Sequence, residues 1–163
     1  RIDHDNYPDN YIKEILSSVR TIAVVGASQK WTRPSYFMAK YLQGKGYRIV
    51  PVNPGLADQE ILGEKVYASL KDIPFDVDMV DIFRNSEAAG PIAEEAVEID
   101  AKVVWMQLGV RNDAGAEAAG KAGLKVVMNR CPKIEFGRLN AELSWGGFNS
   151  GIISAKRRKV RLS

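Results

Sequence analysis

TIAVVGASQKWTRPSYFMAKYLQGKGYRIVPVNP, residues 21–54, is the stretch that decides the fold. It opens on Thr21–Val25, a short apolar run rich in β-branched residues, which predicts a buried strand. Gly26-Ala27-Ser28 follows as a turn, and Pro34 marks a helix start, because its missing N–H would be unpaired in a first turn anyway. Over Tyr36–Lys45 the helical spacing places Phe37, Tyr41 and Leu42 on one face. A second strand pattern, Tyr47–Val52, then runs out at Asn53-Pro54. Strand, glycine turn, helix and strand in this order form a βαβ unit, whose strands are parallel.

The same alternation continues outward. Met79–Phe83, Val103–Met106 and Leu124–Met128 read as further short strands. Ser86–Ile99 has Ala89, Ile92, Ala93, Ala96 and Val97 at helical spacing, and the alanine-rich Asp113–Ala122 stops before Gly123. Asn10–Val19 predicts a leading amphipathic helix through Tyr11, Ile12, Ile15, Leu16 and Val19. Leu62–Pro74 reads as a less regular crossover, with Lys65–Tyr67 as a short edge strand. These patterns imply an α/β fold: a Rossmann-like, doubly wound, mostly parallel sheet in a three-layer α/β/α arrangement. Residues 1–163 are expected to form one domain, with a core over about 10–142 and a basic tail at 155–163.

Composition bounds the function. A chain of 163 residues buries roughly two thirds of the surface its unfolded form exposes, and 45% hydrophobic with 26% charged residues is ordinary for a globular protein. The apolar runs are far shorter than the roughly 20 residues of a membrane span, and Arg1–Asn10 is polar, unlike a secretory leader. The single Cys131 has no internal disulfide partner, which fits a reducing cytoplasm. The net charge of +3 owes much to Lys156, Arg157, Arg158, Lys159 and Arg161; without these five the remainder carries −2. The tail holds no aromatic residue among its charges to stack bases, so a solvated tail is expected rather than a nucleic-acid site.

In open α/β sheets, ligands bind outside the carboxyl ends of the strands where the strand order reverses. Gly26 permits a tight turn and close ligand approach, backbone N–H groups and the Ser28 hydroxyl can face a phosphate, and Lys30 and Arg33 add positive charge. The loop is neither G-x-G-x-x-G, since positions 26, 28 and 31 are Gly, Ser and Trp, nor a Walker-type P-loop. An NAD site usually has Asp or Glu at the tip of the second strand, whereas this strand ends Val52-Asn53-Pro54. Asn53 can hydrogen-bond a ribose or phosphate without repelling an extra phosphate.

Taken in series, these segments resemble the CoA-binding domain family, known as small stand-alone bacterial proteins and as the nucleotide-binding domain of the succinyl-CoA synthetase alpha subunit. The resemblance rests on Val24–Ser28, Arg33-Pro34-Ser35 and Tyr47–Pro54. It continues through Ile61-Leu62-Gly63, Val80–Arg84, Val104–Gly109 and Asn129–Glu135, and so covers about residues 10–140. It implies coenzyme A as the ligand, with the pyrophosphate over Gly26, Ala27 and Ser28 and with Lys30, Arg33 and Ser35 nearby. Adenosine is then expected between Val52-Asn53-Pro54 and Ile82-Phe83-Arg84. The pantetheine arm runs toward Gln107-Leu108-Gly109 and the Asn129-Arg130-Cys131 turn.

Catalysis by this chain alone is not expected. The synthetase relatives pass phosphate through a histidine, but His4, the single histidine, lies in the polar amino-terminal segment and matches no such position. No Ser-His-Asp set or zinc-type spacing can be assembled. Cys131 falls where the family places the thiol end of CoA, and Arg130 and Lys133 nearby favour a thiolate; a small buried hydrophobe is the plainer role. The expected function is a CoA or acyl-CoA binding protein. The alternatives are an NAD(H)-binding redox sensor, for which Arg1–Arg20 is too short to add a winged helix, or a non-catalytic subunit of an acyl-CoA synthetase-type enzyme. The partner is a small molecule, with a homodimer or an acyl-CoA enzyme partner left open.

Overall fold

The computed structural model describes residues 2–139; the expected core beyond 139 and the basic tail at 155–163 lie outside the described residues. In chain order the elements are α1 (Asp9–Ser18), β1 (Thr21–Val25), α2 (Pro34–Gly44), β2 (Arg48–Val52), β3 (Glu60–Ile61), β4 (Glu64–Lys65), β5 (Met79–Ile82), α3 (Ser86–Glu98), β6 (Val103–Met106), α4 (Asp113–Lys121), β7 (Lys125–Val127) and α5 (Pro132–Arg138). Five strands form one parallel sheet in the order β2-β1-β5-β6-β7. The central strands β5 and β6 are buried at every position, as strands covered on both faces must be.

Side chains alternate between the two faces, and each face has its own core. On one, Ile22, Val24, Met79 and Trp105 pack with Ile12, Ile15 and Leu16 of α1, Met38 and Leu42 of α2 and Phe136 of α5. On the other, Ala23, Val80, Val104 and Met106 pack with the alanine-rich faces of α3 and α4. This is the three-layer, Rossmann-like doubly wound fold. Burying each large aliphatic side chain stabilises it by about 1.5–3 kcal/mol.

The chain steps from β1 outward to β2, then returns across β1 to β5. The order reverses between β1 and β5, so α2 leaves toward one face and α3 toward the other, opening a crevice at the carboxyl ends of these strands.

Three details differ from the sequence reading. Helix α2 begins two residues earlier than Tyr36 and buries Ser35, Met38, Ala39 and Leu42, which leaves Phe37 51% exposed. At the expected edge strand Lys65–Tyr67, Glu64–Lys65 pairs antiparallel with β3, and only Tyr67 bridges to Val52 on the main sheet. Helix α5 was not anticipated: its seven residues start at Pro132, and Phe136 anchors it.

The outer edge of β7 is closed by side chains rather than by a strand. The Tyr11 hydroxyl donates to the Val126 carbonyl at 2.8 Å and accepts from the Val126 N–H at 2.9 Å, while the Tyr7 hydroxyl accepts from the Met128 N–H at 2.8 Å. Burial pushes the Tyr7 phenol up to about 12, so both hydroxyls keep their protons at neutral pH.

Candidate functional site

The crevice begins where β1 ends. Gly26 sits at φ +94°, and a Cβ there would lie 2.3 Å from the Phe83 carbonyl oxygen, so only glycine lets the first loop cross the end of β5. The Gly26 and Ala27 N–H groups both donate to the Val52 carbonyl, at 3.0 and 3.4 Å. They are therefore spent on joining β1 to β2 and do not face a ligand, contrary to the simplest reading of the glycine turn. The N–H groups of Ser28 and Gln29 make no hydrogen bond among the described residues, and the Ser28 hydroxyl accepts from the Lys30 N–H at 3.1 Å, leaving its own proton to donate. Arg33 caps the eleven-residue α2 without a side-chain cap bond, and Pro34 takes the first helical position.

Asn53 also has a role that its position alone did not reveal. Its amide nitrogen donates to the Ala27 carbonyl at 2.8 Å and its oxygen accepts from the Gly55 N–H at 2.9 Å. The side chain locks the first loop to the turn after β2, instead of standing free for a ribose. The local signal was present, since asparagine ahead of Pro-Gly favours such a side-chain turn.

Together these residues enclose an open cleft of about 320 Å³, lined by Gly26, Ala27, Ser28, Lys30, Arg33, Pro34, Ser35, Asn53 and Phe83. Eight of the nine were singled out from the sequence, and no carboxylate is among them. Lys30 and Arg33 are exposed and form no ion pair among the described residues, so their charge is available to an anion. Val52 and Ile82 are only 2% and 0% exposed, so their side chains belong to the core and only their backbone borders the cleft. Pro54 and Arg84 stand exposed beside it, and the half-buried Phe83 packs against the core.

Gln107, Leu108, Gly109, Asn129 and Cys131 gather at the next two strand ends, outside that lining. The two loops are stitched together: the Gly109 N–H donates to Asn129 Oδ1 at 2.7 Å, the Asn129 N–H to the Val110 carbonyl at 3.1 Å, and Trp105 Nε1 to the Arg130 carbonyl at 2.9 Å. The amino-terminal segment straps this end, with Asp5 paired to Arg111 at 2.5 Å and Arg130 stacked 5.2 Å from the centre of the Tyr7 ring. Cys131 is half-buried at the start of α5. Leu108 and Ile134, 59% and 56% exposed, give this end an apolar rim.

His4 lies away from the cleft. Its Nδ1 meets the Tyr7 hydroxyl at 2.8 Å, and burial, then Arg111, lowers its basicity. Among the described residues no cluster of histidine, cysteine and carboxylates could hold a metal ion, and no helix is long and apolar enough to cross a membrane.

The family profile of the CoA binding domain matches residues 20–137, which takes in every element from β1 to β7, all but the last residue of α5, and both halves of the site. The chain belongs to the CoA-binding domain family. This CoA-binding domain is 42% identical over 123 residues to the uncharacterized protein YneT of Bacillus subtilis, covering 76% of this chain and 90% of that one. Over 95 residues it is 37% identical to the alpha subunit of an ADP-forming acetate–CoA ligase of Pyrococcus furiosus, which spans 56% of this chain but 21% of the ligase subunit. The solved structure of a hypothetical protein from Pyrococcus horikoshii superposes with a TM-score of 0.80 at 39% identity, covering 86% of this chain and 97% of that one. The CoA-binding domain is thus related both to small proteins of similar length and to a fraction of a synthetase subunit.

Proposed function

We propose that this CoA-binding domain holds coenzyme A or an acyl-CoA and carries out no bond-making step itself. The observation that carries this reading is the cleft at the strand-order reversal, which among the described residues has loop N–H groups without a bond, two cations without an ion pair and no acid in its lining. Its chemistry fits CoA, whose phosphates bring about four negative charges to be met by charge-assisted hydrogen bonds. In this arrangement the pyrophosphate lies against the Ser28 and Gln29 N–H groups, the Ser28 hydroxyl and the start of α2, with Lys30 and Arg33 over its oxygens. Adenosine occupies the space between Pro54 and Phe83-Arg84, its 3′-phosphate unopposed because Asn53 stands where an acid would select NAD. The pantetheine arm extends along Gln107-Leu108-Gly109 toward Cys131.

Calorimetric titration with CoA, 3′-dephospho-CoA and NAD tests the reading. Binding of CoA that weakens at least about tenfold without the 3′-phosphate, and more for NAD, supports it. Tighter binding of NAD overturns it in favour of a redox-sensing role. The similarity to a ligase subunit supports a second reading, a ligand-holding subunit completed by an ATP-using partner. Co-purification of such a partner, with acyl-CoA formation only in the complex, distinguishes the two.

A further inference from the structure

Beneath the cleft, on the face covered by α1, α2 and α5, the sheet carries a polar group that the proposed function does not use. Asp81 is 0% exposed at the middle of the central strand β5, and among the described residues neither of its carboxyl oxygens has a hydrogen-bond partner. Its sheet neighbours on that face are Val24 of β1 and Trp105 of β6. Gln107, 7% exposed, follows the end of β6 and continues its ladder, its N–H donating to the Ile82 carbonyl at 3.1 Å, so alternation from Trp105 carries it to the same face; its Oε1 is likewise sealed, with no partner among the described residues. Diagonal neighbours on adjacent strands lie roughly 7–8 Å apart, within reach of a long side chain directly or through one water.

Three sealed oxygens on one face of the sheet, without a donor among the described residues, are an unstable set unless something donates to them. A carboxyl group sealed from solvent, with no cation beside it among the described residues, is neutral, because an isolated buried charge is far costlier than the acid. Burial alone holds Asp81 well above the usual carboxylate range. A neutral acid has an O–H to give, and a buried water characteristically makes about three hydrogen bonds to such groups. Gln107 Nε2, by contrast, is not one of the sealed, partnerless atoms.

We propose that Asp81 is a positioning residue that, through one buried water, fixes Gln107 with its oxygen inward and its amide N–H₂ turned to the ligand arm, where it donates to an amide or thioester carbonyl. The Asp81 O–H donates to the water, the water donates to Gln107 Oε1, and the glutamine keeps both amide protons for the ligand. This rests on the CoA reading and adds to it a carbonyl-recognising contact at the arm, separate from the phosphate loop. A thioester carbonyl there makes the site sensitive to whether the thiol is acylated.

The test compares CoA with adenosine 3′,5′-bisphosphate, which lacks the arm, on the wild type and on Gln107→Leu, Asp81→Val and Asp81→Asn. Gln107→Leu and Asp81→Val are expected to weaken CoA about five- to tenfold and leave the bisphosphate unchanged, while Asp81→Asn, which still offers an N–H donor, keeps wild-type affinity. The side-chain amide resonances of Gln107 shift with CoA and not with the bisphosphate. If Asp81→Val does not fold, Gln107→Leu, the Asp81→Asn rescue and the amide resonances carry the same test. Equal losses for both ligands, or none for CoA, overturn the inference. A wild type that binds neither ligand overturns the CoA reading itself, and this inference with it.

Discussion

The two ends of the crevice are held in opposite ways. At the proposed phosphate end, order comes from neutral hydrogen bonds between adjacent strand ends: Gly26 and Ala27 bond to Val52, the Asn53 side chain clamps both neighbouring turns, and the charged side chains Lys30 and Arg33 are left loose in solvent. At the proposed thiol end, Asn129 links to Gly109 and Trp105 to Arg130, and the amino-terminal segment adds ties from far along the chain, Tyr7 to Met128 and Asp5 to Arg111, with an apolar rim exposed. A loop shaped by neutral hydrogen bonds can keep its cations unpaired for an anion. The proposed thiol end depends also on distant parts of the chain.

Breaking the phosphate end should cost most. In Gly26→Ala the new Cβ would lie 2.3 Å from the Phe83 carbonyl at a backbone angle alanine resists, so chemical denaturation should show a loss of about 3 kcal/mol or more, with CoA binding abolished. Asn53→Ala removes two hydrogen bonds from the clamp, and should lower stability by about 2 kcal/mol and weaken CoA through a looser loop. A loss confined to affinity, with stability intact, would instead give Asn53 a direct role on the ligand.

Weaker effects sharpen the other half of the comparison. Because burial raises Asp81, the folded chain holds its proton more firmly than the unfolded chain. Below the ordinary aspartate value near 3.8 both forms are protonated and burial carries no penalty of ionisation. As pH rises past that value the unfolded chain ionises first, so this group lowers stability progressively toward neutral pH. Asp81→Asn should therefore raise the melting midpoint by a few degrees at pH 7 and leave it nearly unchanged at pH 4, read by calorimetry. Cys131→Ser should change least: CoA affinity stays within about twofold if the thiol is a half-buried packing group. A large loss would assign it a covalent or contact role.

Much of the sheet was legible. Thr21–Val25 and Val103–Met106 coincide with the observed strands because central strands must be apolar on both faces. Helix α2 was harder: Phe37 and Met38 are adjacent apolar residues, and the sequence does not say which of the two steps around the helix meets the sheet. The seven-residue α5 lacks enough turns to show a period. In the candidate site, the residues that line the cleft were legible because a glycine turn after the first strand, followed by cations and a helix start, marks that strand end. The engagement of the Gly26, Ala27 and Asn53 groups was not, since it depends on which strand lies alongside. The orphaned pair Asp81 and Gln107 was hidden for the same reason: strand pairing and depth decide whether an acid is a surface charge or a sealed one.

The anchoring of α1 at the edge of the sheet has a further consequence. Arg138 of α5 reaches Asp9 of α1 at 2.7 Å, and α1 also secures β7 through Tyr11. The first and last helices of the described unit are therefore neighbours. A polypeptide running into this unit at one and out at the other leaves close to where it arrived. That geometry suits a cassette: the unit can be spliced into a longer chain, or its ends joined and new ones opened in a surface loop, without rerouting the sheet.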